Sequence, residues 1–126
     1  MKSLKYLSLL LLAGLAFGQC PKVTTRATIS ITGTGDATVI TGDAARTTYV
    51  WQFFVVNGHA STDVNLTLKE GSTAKSGAYL LVHGGGSHTA PCTGTPWAII
   101  PAGSDFVMNT SASGTLKGEV YYTQQP

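Results

Sequence analysis

From residue 19 onward the apolar positions fall in short alternating runs that suit strands, and no window carries them at helical spacing with capping residues. Residues 23–32 alternate through Ala27, Ile29 and Ile31. Gly33-Thr34-Gly35-Asp36 then predicts a turn, and residues 37–41 a short strand through Val39. Residues 63–70 give the cleanest pattern, with Val64, Leu66 and Leu68 on one face and Asn65, Thr67 and Lys69 on the other. Residues 71–77 read as a small-residue loop, residues 78–83 as a strand, and Gly84-Gly85-Gly86 as a sharp break. Pro91, Pro96 and Pro101 confine Trp97-Ala98-Ile99-Ile100 to an edge strand. Residues 105–110 and 114–123 close the chain as a pair, the second alternating through Leu116, Gly118, Val120 and Tyr122.

Residues 47–57 break the alternation. Tyr49, Val50, Trp51, Phe53, Phe54, Val55 and Val56 occupy both parities, so both faces of this strand are covered. It is either the centre of a sandwich or a strand with one face against a second subunit. The contact set for that subunit is one parity, either Tyr49, Trp51, Phe53 and Val55 or Val50, Phe54 and Val56. With eight short strands and nearly no helix, the expected fold is all-β, an antiparallel β-sandwich of jelly-roll type.

The first eighteen residues follow a different rule. Lys2 and Lys5 give a basic start, residues 6–15 are apolar or small apart from Ser8, and Ala16 and Gly18 place small residues before a cut at Gln19. This is the layout of a secretory signal peptide. The run is short for a membrane span of roughly 30 Å, and Gln19 stands where acylation of Cys20 would want a small residue. The expected organisation is a signal peptide, residues 1–18, followed by one β-sandwich domain, residues 19–126, secreted or periplasmic and free of the membrane after cleavage.

Cleavage changes the charge. Lys22, Arg26, Arg46, Lys69, Lys75 and Lys117 face Asp36, Asp43, Asp63, Glu70, Asp105 and Glu119, so the mature chain is neutral and has no basic cluster. Nothing in it points to nucleic acid. Both cysteines, Cys20 and Cys92, survive the cut, and an oxidising compartment permits one pairing, which would staple the N-terminus to the loop near residue 92.

Candidate chemistry is sparse. His83-Gly84-Gly85-Gly86 resembles the oxyanion loop of some esterases, but the chain has no GxSxG nucleophile elbow and no helices for that fold. His59, His83 and His88 lack a ligand spacing that would guarantee a metal site. Asp36, Asp43, Asp63 and Asp105 are explained as residues that satisfy local backbone donors. No cofactor and no catalytic residue is expected. Trp97, with His83 and His88 on neighbouring loops, is the candidate edge for a surface glycan, and Trp51 a weaker one. Asn65-Leu66-Thr67 and Asn109-Thr110-Ser111 fit the glycosylation sequon but lie in strands.

From Gly71 on, GSTAKSGAYLLVHGGGSHTAP and TPWAIIPAGSDFVMNTSASGTLKGEVYY resemble small β-sandwich proteins encoded in tailed-phage structural gene clusters. The matching features are the loop at residues 71–78, the glycine-rich turn at 84–86, Pro96-Trp97, and the closing strands at 102–109 and 113–122. The resemblance spans most of residues 33–122. It implies a virion-like structural or decoration role, without catalysis; self-association in a homo-oligomer is expected separately, from the strand that is apolar on both faces. The leader departs from the family, whose members assemble in the cytoplasm, and marks this chain as an exported relative. A carbohydrate- or cell-surface-binding module is the rival expectation.

Overall fold

The computed structural model describes residues 19–126, so the expected signal peptide lies outside the described residues. These residues form seven strands and no helix: β1 (Thr25–Ile40), β2 (Thr47–Asn57), β3 (Val64–Glu70), β4 (Thr73–Leu81), β5 (Gly86–Ala90), β6 (Ala98–Ile100) and β7 (Phe106–Gln125). All pairings are antiparallel and join into one curled sheet. None of the described residues forms a helix long and apolar enough to cross a membrane. The all-β class matches the alternation in the sequence.

The strand count differs from the expected eight for three reasons. Residues 23–32 and 37–41 are one strand, because Gly33 and Gly35 adopt φ of 111° and 102° and carry the chain through a bulge where a turn was expected. Residues 105–110 and 114–123 likewise merge into β7, whose residues 111–113 lie opposite Thr34 alone. In the other direction, β5 forms after the glycine run, where no strand was expected, and β4 starts at Thr73 within the expected loop.

Strand β7 is the spine. Along one edge it pairs with β1 from Thr25↔Tyr122 to Ile40↔Phe106. Along the other, its first part pairs with β3 and its second part with β2, which holds β5 and β6 in turn. The irregularity at Gly33–Gly35 opposite residues 111–113 divides this long ladder into two halves. Both halves send their inward rows into one buried cluster: Leu66, Leu68, Met108 and Phe106 from the first, and Ile29, Ile31, Val50, Phe53, Val55, Leu116 and Val120 from the second. Phe53 of β2 meets Tyr79 of β4 edge to face at 6.3 Å, so the halves face each other across this core. Gly118 sits where a Cβ would run into the carbonyl of Phe54, and its lack of one lets β2 and β7 approach closely.

Candidate functional site

The outward face of β2 and its neighbours leaves several apolar groups uncovered, as do Leu80 of β4 and Val82 just after it. A bulge between Val50 and Gln52 inserts Trp51 as an extra residue and shifts the side-chain parity by one. Before it Thr48 and Val50 point inward; after it Phe53, Val55 and Asn57 do. The contact set Tyr49, Trp51, Phe53 and Val55 is therefore split. Phe53 is 2% exposed and Val55 fully buried, and both belong to the core of the single chain, a correction that follows from the bulge. Tyr49 and Trp51 stay half-buried and stack with centroids 6.3 Å apart, and the Trp51 Nε1–H donates to Thr123 Oγ1 at 2.9 Å. Past the bulge Phe54 turns outward at 44% exposure, with half-buried Val56 two residues on. Ile99 of β6, paired with Tyr49, is 52% exposed.

Phe54 and Val56, with Thr28, Lys117 and Glu119, line an open depression of about 510 Å³. Its polar side is organised by Glu119, which accepts from Arg26 at 3.0 Å and from the Tyr121 hydroxyl at 2.7 Å. That hydrogen bond to a carboxylate holds the Tyr121 phenol above its ordinary pKa.

A second feature lies at Trp97. Its backbone N–H donates to Val50 O at 2.7 Å, its Nε1–H donates to Pro91 O at 2.8 Å, and its ring meets Phe53 edge to face at 6.2 Å. The ring is nevertheless 36% exposed, and with Thr93, Thr95 and Pro96 it lines a depression of about 250 Å³. Cys92, just before this loop, is bonded to Cys20 with a Cα–Cα distance of 6.0 Å, so the staple expected from the sequence is present. Such a bond is compatible with an extracytoplasmic location.

The histidines do three separate things. His88 lies on β5 and stacks on Tyr79 at 4.2 Å beside Phe53 at 5.5 Å, so it is part of an aromatic cluster rather than a loop residue. Its Nε2 is buried and has no hydrogen-bond partner among the described residues. His83 contacts Asp63 through Nδ1 at 2.7 Å. His59 Nδ1 accepts from the backbone N–H groups of Ser61 and Thr62. Among the described residues no three His, Cys, Asp or Glu side chains group as a metal site would need. Trp97 and His88 thus meet the same phenylalanine, while His83 is held by a carboxylate.

Only Asp43 serves a local backbone donor as the sequence suggests; Asp63 and Asp105 accept from backbone groups distant in the chain. Asp43 accepts from Ala45 N, Asp105 from Gly42 N and Asp63 from His83 N. Asp36 differs: it lies within β1 and binds Lys69 at 2.6 Å and Asn109 at 2.5 Å, which also occupies the amide of the second sequon. The Lys69 and Asn109 hydrogen bonds hold the Asp36 carboxyl below the usual range. The His83 backbone and ring do the same for Asp63. A carboxyl with a depressed folded pKa stabilises the fold above its unfolded value, near pH 4, and that contribution is lost as the pH falls through the folded value. Asp36→Asn and Asp63→Asn should each lower the thermal midpoint at pH 7, and the deficit should close as the pH is taken toward 2. Equal deficits at both pH values in calorimetry would contradict this assignment.

Nothing in an unbroken apolar run marks where an extra residue enters, so the Trp51 bulge has no sequence signature; of the alternative set, Phe54 and Val56 turn outward while Val50 is buried. Strand β5 had a faint signature, the alternation of His88 and Ala90 with Ser87 and Thr89. No protein-family model matches the chain, and no curated protein or solved structure is significantly similar to it.

Proposed function

We propose that the mature chain is an exported, non-enzymatic structural or surface module that self-associates. The observation that carries this reading is the apolar strip on the outer face of β2 and β6, formed by Tyr49, Trp51, Phe54, Val56 and Ile99, in which Phe54 and Ile99 are exposed. Exposed apolar groups that form a contiguous strip mark contact surfaces, whereas isolated ones need no explanation. The engagement of Asp36, Asp43, Asp63 and Asp105 in structural hydrogen bonds supports a role without catalysis. In light scattering after size exclusion, the mature chain is expected to elute as a defined oligomer, and Phe54→Glu to shift it toward monomer while the thermal midpoint stays within a few degrees. A parent chain that is monomeric at high concentration overturns the proposal.

A second reading rests on Trp97, whose partly exposed ring lies beside Thr93 and Thr95 in an open depression. An aromatic face flanked by hydroxyls suits a sugar ring. Saturable binding in a glycan screen by a monomeric chain, lost in a folded Trp97 variant, would favour this reading.

A further inference from the structure

Among the described residues the sheet has one long edge with no neighbour. Strands β2, β3 and β7 are paired on both sides. Among the outer strands β5 has five residues and β6 three, while β4 is bulged against β3 and carries Lys75. Short length, bulges and lysines are the means by which natural edges avoid pairing. Strand β1 is sixteen residues long and pairs on one side only, with β7. From Thr25 to Thr32 its register runs without a bulge, and the segment Thr-Arg-Ala-Thr-Ile-Ser-Ile-Thr has no Pro, Gly or Lys. Alternate residues of this stretch turn their N–H and C=O groups away from β7.

We infer that residues 26–32 of β1 pair antiparallel with the same segment of a second copy, joining two sheets across a twofold axis. This goes beyond the outer strip, which is a face and not an edge. The second copy is the occupant because the segment complements itself. With Ile29 on the axis, Thr28 stands opposite the second copy's Ser30, Ala27 opposite its Ile31, and Arg26 opposite its Thr32. Hydroxyls meet hydroxyls on the exposed row, small and branched apolar groups continue the buried row, and the only charge in the segment meets no like charge. Opposed pairs of this kind are what stabilise a ladder.

The register gives the test. Thr32 is exposed and its in-chain partner is Thr115, so substitutions there leave the core untouched. Thr32→Lys places a second cation opposite Arg26 at both symmetric positions, and Thr32→Glu places an anion there. Sedimentation equilibrium should show Thr32→Lys weakening self-association by roughly tenfold and Thr32→Glu tightening it. Hydrogen exchange of residues 26–32 should slow at alternate amides when the parent protein is concentrated. If both variants shift association in the same direction or not at all, or if exchange in β1 is independent of concentration, the edge pairing is overturned. Should the chain still self-associate in that case, the proposed structural role survives without it. A parent chain that never self-associates removes both.

Discussion

Replacing Cys20 and Cys92 together by serine should lower the unfolding free energy by about 4 kcal/mol. The bridge joins residues separated by 72 positions, and the loop it closes contains β1 through β5. Closing so long a loop removes freedom mainly from the unfolded chain, and the loss of entropy grows with the logarithm of loop length. The native positions suit the bond, since a Cα–Cα distance of 6.0 Å lies inside the usual span. Domains of this size have about 5–15 kcal/mol in total, so the double variant would lose a large share of its stability. Urea denaturation of the oxidised parent and the variant measures the difference. A loss below about 1 kcal/mol would mean that the unfolded chain gains little freedom when the bond is absent.

Phe53→Ala should cost about 3–5 kcal/mol, and Phe54→Ala about 0.5 kcal/mol or less. The contrast between adjacent phenylalanines follows from the Trp51 bulge. Phe53 sits where rings from three other segments converge: Tyr79 at 6.3 Å, Trp97 at 6.2 Å and His88 at 5.5 Å. Removing it opens a cavity between the two halves of the sheet and leaves the Tyr79–His88 stack without a wall. Phe54 points outward, so its removal takes away contact area without opening a void, and its consequence should appear in self-association. Thermal or chemical denaturation of the two variants side by side checks the order; equal losses would place the bulge elsewhere.

How far the sequence revealed the molecule depends on what each feature needed. Strand β3 was legible at once, because Val64, Leu66 and Leu68 alternate against polar neighbours on a half-buried strand. The disulfide was legible from two cysteines in a chain expected to be exported. The continuity of β1 and β7 was hidden, because Gly33 and Gly35 are equally at home in a turn and in a bulge, and only pairing with β7 decides between them. The division of Thr47–Asn57 into buried and outward groups was hidden for a related reason. Side-chain parity in a strand holds only until a bulge, and which residue is the extra one depends on the partner strand. Trp97 divides its surface between core and solvent, since its indole N–H donates to Pro91 O and its ring meets Phe53 edge to face while the residue stays partly exposed. Tryptophan composition alone does not say how a ring divides its surface between core and solvent.

The position of the disulfide also decides how the molecule would bear mechanical force. Tension entering ahead of Cys20 crosses the sulfur–sulfur bond directly to Cys92, bypassing the stretch between these residues, which are 72 positions apart. Strands β1 to β5 are thus shielded from end-to-end pulling, and only the segment from Thr93 onward, with β6 and β7, can be paid out. Because β7 is held by β1, β2 and β3, extracting it means breaking the spine against three partners whose own backbones carry no load. A chain pulled from both termini would therefore yield in a single short step, with a contour gain set by its last thirty-odd residues, roughly 3.3–3.6 Å each.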